Sequence, residues 1–169
     1  MIHLYYGDGK GKTTAACGLA IRGAGSGMKV LFAQFFKSGN SSEVAVLSSV
    51  PSITVRYPEL CYGRYKMMTG QQKADIEKCY SGFIKEVEAS AQEYDMIVLD
   101  EAVSAYGYGL FAHADIIGFL KREGEKREIV LTGRDPAGEL IEMADYATEM
   151  RKTKHPFDGG LIARKGIEY

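Results

Sequence analysis

The sequence predicts an α/β fold, a mostly parallel central sheet flanked by helices, as a single domain over residues 1–169. Three observations predict it. An apolar run, Ile2 to Tyr6, leads through a glycine-rich turn with a Gly-Lys-Thr close into a small-residue helical pattern. A second apolar run, Met96 to Leu99, ends on the acidic pair Asp100-Glu101. Between and after them, apolar runs of strand length alternate with stretches of helical period, the pattern of a parallel sheet with crossover helices.

The bulk numbers agree. At 169 residues, 46% hydrophobic and 25% charged, the chain can bury a substantial core. A net charge of −1 gives no basis for strong nonspecific nucleic-acid binding. No apolar run approaches a membrane span, and the chain enters a strand directly with no signal peptide, so a cytoplasmic protein without membrane or nucleic-acid partners is expected. Cys17, Cys61 and Cys79 are odd in number and widely spaced, which fits reduced thiols better than disulfides or a zinc site.

The turn Gly7-Asp8-Gly9-Lys10-Gly11-Lys12-Thr13-Thr14 has the strand and helix on the sides that a phosphate-binding P-loop requires. Glycines let backbone N–H groups turn inward around an anion, and the helix N-terminus adds partial positive charge. Lys12 supplies a point charge and Thr13 a hydroxyl suited to Mg²⁺. The common pattern would set its first glycine at Tyr6; here it is Gly7, so the loop is one residue shorter. The chain is read as a P-loop NTPase domain, RecA-like, that binds a nucleoside triphosphate.

The helix opened by Ala15 ends at Ser26-Gly27, and Val30 to Phe36 reads as a buried strand. Lys37 follows, outside the strand's carboxyl end, where α/β sheets place ligands. It either reaches bound phosphate or ends the strand as a solvated lysine. Glu43 to Leu47 suggests a short helix and Ser52 to Tyr57 a half-buried strand. Pro58 to Met68 mixes aromatic, sulfur and basic side chains without a period: a second-substrate wall, or an irregular crossover.

Thr69-Gly70-Gln71-Gln72 has the spacing of a capping box. Behind it Ile76, Tyr80, Phe83, Ile84, Val87 and Ala91 recur at helical spacing, so the core side of a long amphipathic helix is expected there. Met96 to Glu101 is the second nucleotide signature, with acids at the end of a central strand where they bind Mg²⁺ directly or through water. Tyr106-Gly107-Tyr108-Gly109 reads as a connection to a helix over Ala114 to Arg122. The strand Glu128 to Thr132 follows, then Gly133-Arg134-Asp135-Pro136, with Pro136 expected at the first position of a helix reaching Ala144. Arg134, at a strand's carboxyl end, is a candidate phosphate clamp. A last strand is expected over Tyr146 to Met150. His3 is read as a strand residue with a satisfied ring, His113 as a surface helix residue and His155 as a hydrogen-bonding tail residue without chemistry.

Together these residues resemble the P-loop corrinoid adenosyltransferases, also called cob(I)alamin adenosyltransferases. The resemblance rests on the shortened loop, on Gln34-Phe35-Phe36-Lys37, Val98-Leu99-Asp100-Glu101 and Thr132-Gly133-Arg134, and covers nearly the whole chain. Most diagnostic is the tail, Arg151-x-x-Lys154-His155-x-Phe157-Asp158-x-Gly160 followed by Gly166-Ile167-Glu168-Tyr169. The resemblance implies that ATP and a reduced corrinoid are substrates, that Co(I) attacks C5′ of ATP, and that tripolyphosphate leaves, reversed along the loop. By the same carry-over Gly7, Asp8, Gly9, Lys10, Gly11, Lys12, Thr13 and Thr14 hold the triphosphate. Thr13 and Glu101, with Asp100 beside it, hold Mg²⁺ or Mn²⁺, and Lys12, Thr13 and Glu101 carry the catalysis. Arg22, Lys37 and Arg134 match further basic positions. Tyr65-Lys66-Met67 stands where better-known members carry an aromatic-x-Trp pair against the corrin's lower face, so Tyr65 and Met67 are the corrinoid candidates. A homodimer and an electron donor such as a flavoprotein reductase are implied as partners. Two rival readings share the motifs: a P-loop phosphotransferase or ATPase, and a non-catalytic nucleotide or corrinoid carrier.

Overall fold

The structure, a computed structural model, describes residues 1–168. Tyr169, the last residue of the tail motif, lies outside the described residues. Six strands form one sheet: β1 (Ile2–Tyr6), β2 (Val30–Gln34), β3 (Ile53–Arg56), β4 (Met96–Asp100), β5 (Glu128–Gly133) and β6 (Tyr146–Glu149). Their order is β3-β2-β4-β5-β1-β6, and every pairing is parallel. The helices are α1 (Lys12–Gly25), α2 (Ser42–Ser48), α3 (Gly70–Ser90), α4 (Ala102–Gly107), α5 (His113–Glu123) and α6 (Gly138–Met143). The P-loop NTPase-like α/β architecture expected from the sequence is therefore present.

Strand alternation sorts the core onto two faces. Leu4, Leu31, Ala33, Ile97, Leu99, Ile129 and Leu131 turn toward α3, α4 and α5, where Ile76, Tyr80, Ile84, Phe119 and Leu120 are buried. Val30, Phe32, Val98 and Val130 turn the other way, onto Ala16 and Ala20 of α1 and Leu47 of α2. The small residues of α1 let it lie close to the central strands. α3 carries the expected stripe, with Ile76, Tyr80, Phe83, Ile84 and Val87 buried. The capping box is complete: Gln72 N–H donates to Thr69 Oγ1 at 3.2 Å, and Thr69 N–H to Gln72 Oε1 at 2.9 Å.

Three local expectations need correction. β2 ends at Gln34 rather than Phe36, because Phe36 adopts φ 55° and its N–H leaves the sheet to donate to Tyr80 Oη at 2.7 Å. Tyr106-Gly107 is not a connection but the end of α4, a helix that starts one residue after the acidic pair. Pro136 is not the first helical residue: Asp135 takes φ 49°, Ala137 is the N-cap, and α6 opens at Gly138. With Asp135 left-handed and Ala137 extended, the proline closes a turn instead of starting a helix.

Parallel strands present all their carboxyl ends on one edge of the sheet. The glycine loop, Lys37, the acidic pair and Arg134 all follow such ends. The opposite edge of the molecule holds the start of β1, where the amino group of Met1 donates to the carbonyls of Gly124 and Arg127. An open cavity of about 670 Å³ lies on that side, lined by Lys121, Lys126, Arg127 and Glu128 among others, away from the loop.

Candidate active site

The site is built from the loop between β1 and α1. Gly11, at φ 116°, is the N-cap of α1 and carries no side chain to close the helix end. The first-turn amides of Lys12, Thr13 and Thr14 thus have no intrahelical acceptor and face outward, with the helix dipole behind them. Lys12 is 7% exposed and its Nζ donates to Gly9 O at 2.8 Å, folding the ammonium back over the loop. Burial pushes its pKa below the ordinary lysine value, with the Glu101 carboxylate opposing.

Asp100 is the centre of the polar network. It is fully buried at the end of β4, and four donors saturate its carboxylate. Oδ1 accepts from Thr13 Oγ1 at 2.8 Å and from Thr132 Oγ1, on the intervening strand β5, at 2.7 Å. Oδ2 accepts from Lys37 Nζ at 3.0 Å and Gln34 Nε2 at 3.3 Å. Lys37 and Gln34 also share Glu43 Oε1, at 2.9 and 2.8 Å. Burial works against the Lys37 charge, but Asp100 and Glu43 outweigh it and hold its pKa above the ordinary value. Burial likewise works against Glu43, where Lys37 prevails and holds the carboxyl low. With its amide nitrogen committed to two carboxylates, the buried Gln34 keeps a side-chain oxygen, Oε1, with no hydrogen-bond partner.

Glu101 stands differently. It is partly exposed, adopts φ 62°, and anchors its backbone N–H on Thr132 Oγ1 at 2.9 Å. Among the described residues only Ser104 Oγ, at 2.7 Å, donates to its carboxylate, so most of its acceptor capacity is open. A non-glycine residue in the left-handed region costs of the order of 1 kcal/mol and aims the side chain off the sheet's end. Arg134 is exposed after Gly133; its charge acts on both Asp8 and Lys12, which sets it beside the loop. The Thr13 hydroxyl, oriented by Asp100, and the open Glu101 carboxylate are both oxygens, the donors a hard divalent cation takes.

Not every candidate joins this cluster. Arg22 lies in the last turn of α1, exposed, about 15 Å along the helix from Lys12 at 1.5 Å per residue. An arginine cannot span that distance to a phosphate at the helix start. Asp8 and Gly9 face the chain's last segment: Asp8 Oδ1 accepts from Lys152 N–H at 2.8 Å, and Gly9 N–H donates to Met150 O at 2.6 Å. Lys10 is exposed at the rim.

An aromatic surface adjoins the polar network. Tyr65, in a 3₁₀ turn over Tyr65–Met67, stacks on Tyr108 with centroids 4.4 Å apart, and Lys73 Nζ lies 5.2 Å over the Tyr65 ring. Tyr108 meets Phe36 edge-on at 6.0 Å, and Phe36 is the residue before Lys37. The rings therefore run continuously from the Pro58–Met68 segment to the end of β2. Met67 is 83% exposed, the most exposed large apolar side chain among the described residues. Tyr108, Phe36 and Glu43 are not among the site candidates that the sequence offers. The available signals were two tyrosines in a glycine-rich stretch behind a central strand, and a glutamate six residues after Lys37.

Comparison with known proteins gives the family. The family model described as ATP:corrinoid adenosyltransferase BtuR/CobO/CobP matches residues 1–169. A corrinoid adenosyltransferase of Sinorhizobium is 32% identical over 166 residues, covering 96% of this chain and 77% of its own length. That of Pseudomonas aeruginosa is 32% identical over 168 residues, covering 98% and 82%. Corrinoid adenosyltransferase CobA of Salmonella typhimurium is 31% identical over 170 residues, covering 100% and 85%. A match over the full chain, on a fold whose loop, acidic pair and strand-end cations converge on one edge, has one reading: this chain belongs to the ATP:corrinoid adenosyltransferase family.

Proposed function

We propose that the protein transfers the 5′-deoxyadenosyl group of ATP to Co(I) of a reduced corrinoid, forming a cobalt–carbon bond and releasing tripolyphosphate. The observation that carries this reading is the adjacency of two unlike surfaces. A cationic, amide-lined loop suited to a polyphosphate adjoins, through Phe36 and Tyr108, a stack of flat rings suited to a large planar partner. A phosphoryl transferase needs the first surface only.

In this reaction the electron pair of Co(I) forms the Co–C5′ bond, while the C5′–O5′ pair leaves with tripolyphosphate and cobalt becomes formally Co(III). No proton moves, so no general base is required. The protein's work is orientation and charge stabilisation. Lys12 and the amides of Lys12, Thr13 and Thr14 neutralise the departing polyphosphate. Arg134 and Lys10 add charge at the rim, and Asp100 holds the Thr13 hydroxyl in place. A divalent cation, Mg²⁺ or Mn²⁺, held by Thr13 and Glu101, would supply further charge neutralisation on the triphosphate oxygens. Tyr65 and Tyr108 offer the corrin a dry planar wall, with Met67 as a flexible edge.

The test is an anaerobic reaction of protein, MgATP and chemically reduced corrinoid, followed by loss of the Co(I) absorption band and by product analysis. Tripolyphosphate is the expected product. Formation of ADP, with corrin absorption unchanged, would instead establish the phosphotransferase or ATPase reading that the same loop supports. Binding of both substrates with no turnover would leave a carrier. By resemblance the enzyme works in the cytoplasm as a homodimer supplied by a flavoprotein reductase; sedimentation of the purified protein checks the dimer.

A further inference from the structure

The tail motif is the most specific stretch of the sequence, and the site above makes no use of it. Its course is nevertheless tied to the site. β6 runs beside β1 with Glu149 opposite Tyr6, so the chain leaving β6 is delivered onto the glycine loop. Met150 N–H donates to Tyr6 O at 2.7 Å, Gly9 N–H to Met150 O at 2.6 Å, and Lys152 N–H to Asp8 Oδ1 at 2.8 Å. A Cβ at Gly7 would stand 2.7 Å from Met150 O, and one at Gly9 only 2.5 Å from it. The passage of the tail alone requires glycine at these two positions. The short loop and the tail are one construction.

The far end returns to the same place. Arg164 Nη2 pairs with Glu168 Oε1 at 3.0 Å, and the charge of Lys10, in the loop, also acts on that carboxylate. Between these ends the tail carries Arg151, Lys152, Lys154, Arg164 and Lys165 against only Asp158 and Glu168, on a chain whose net charge is −1. Lys152 pairs with Asp158 and Arg164 with Glu168, whereas Arg151 and Lys154 have no ion pair among the described residues. Core burial does not hold the tail down, since Phe157 and Ile162 are exposed. It is attached at its start, beside the glycine loop, with spare cations. Few buried contacts make such a segment responsive to whatever fills the loop.

Resting on the reading that the loop holds a triphosphate, we infer that residues 150–168 belong to the polyphosphate site as a cationic strap, hinged at Met150 and latched by Asp8, whose Arg151 and Lys154 close on a linear triphosphate. The ligand chemistry is shared by ATP and free tripolyphosphate, so both are tested. Hydrogen exchange of the full-length protein is followed without ligand, with MgATP, with magnesium tripolyphosphate and with adenosine. Either polyphosphate should slow exchange in tail peptides at least tenfold, and adenosine should not. The Arg151→Ala/Lys154→Ala double variant should bind tripolyphosphate at least tenfold more weakly in equilibrium dialysis, with a shallower salt dependence. Slowed exchange at residues 7–14 with the tail unchanged would overturn the strap and leave the nucleotide reading intact. Protection by ATP alone, or protection set by protein concentration rather than ligand, would overturn it too, the latter pointing to a second copy as the tail's cover. Failure of both polyphosphates to bind would remove the nucleotide reading and the strap with it. The wild-type exchange arms decide the matter even if the double variant does not fold.

Discussion

At the scale of single residues, the site divides its side chains between binding charge and holding other groups in place. We assign Lys12 to the first kind: it is buried, and among the described residues its hydrogen-bond partner is a carbonyl of its own loop. Lys12→Ala should lower kcat/KM for ATP by about 2–4 kcal/mol of transition-state stabilisation, roughly 30- to 1000-fold, while leaving the melting temperature close to wild type. Near-normal turnover in the folded variant would remove the loop from the reaction. Asp8 belongs to the second kind. Its carboxyl is held below the usual carboxylate value chiefly by the Lys152 N–H. For a group with a depressed folded pKa, the stabilising contact is fully present above the unfolded value and is lost as pH falls through the folded one. Tail exchange should accordingly stay constant from neutral pH down to about 5 and accelerate only in acid below the ordinary Asp range, about 3.9. Acceleration already between pH 7 and 5, after correction for intrinsic exchange, would show that another group holds the tail. The sequence made Lys12 legible because a lysine before Thr-Thr at a helix start has few other uses. It could not separate Asp8 from a phosphate-site residue, since the partner lies 144 positions away.

At the scale of elements, legibility followed periodicity. α3 was readable because its buried side chains repeat at helical spacing behind a capping box. β2 and β4 were readable as continuous apolar runs, the signature of strands covered on both faces. The aromatic surface has no period at all. It joins a 3₁₀ turn, the last residues of β2 and the end of α4, three places linked only by the parallel sheet. That surface makes its own prediction. Tyr65→Ala or Tyr108→Ala unstacks the pair and should slow adenosylation most when Co(II) must be reduced on the enzyme, because water then reaches the lower face of the corrin. Chemically supplied Co(I) should narrow the loss. Met67 is exposed enough for Met67→Trp to enlarge the flat surface without repacking the core, so activity should be kept or improved. Equal loss in both assays, accompanied by a lower melting temperature, would mean the rings only pack the Pro58–Met68 segment.

At the scale of the whole molecule, the sheet's carboxyl edge is held by one buried carboxylate. Asp100 ties β4 to α1 through Thr13, to β5 through Thr132 and to β2 through Gln34 and Lys37. The strand order explains why this takes a single residue: β4 is flanked by β2 and β5, and β5 alone separates it from β1. From sequence, Glu101, or Asp100 beside it, is the expected metal ligand. The fold separates them, because the strand ends after Asp100 and Glu101 turns out at φ 62°. Asp100, saturated and buried, is a tie; Glu101, partly exposed with open oxygens, is the one we propose as the ligand. Asp100→Asn removes the charge that Lys37 faces and places N–H groups among four donors. Breaking one side of a buried pair costs about 3–5 kcal/mol. For a chain of this size that is a fall of roughly 6–20 °C in melting temperature. Glu101→Gln should leave the melting temperature nearly unchanged and raise the Mn²⁺ needed for half-maximal activity severalfold, since the amide retains shape but not charge. Thermal unfolding of both variants, with Mn²⁺ titration in the presence of ATP, separates the roles. If Asp100→Asn melts like wild type and Glu101→Gln does not, the tie runs through Glu101 and the two assignments must be exchanged.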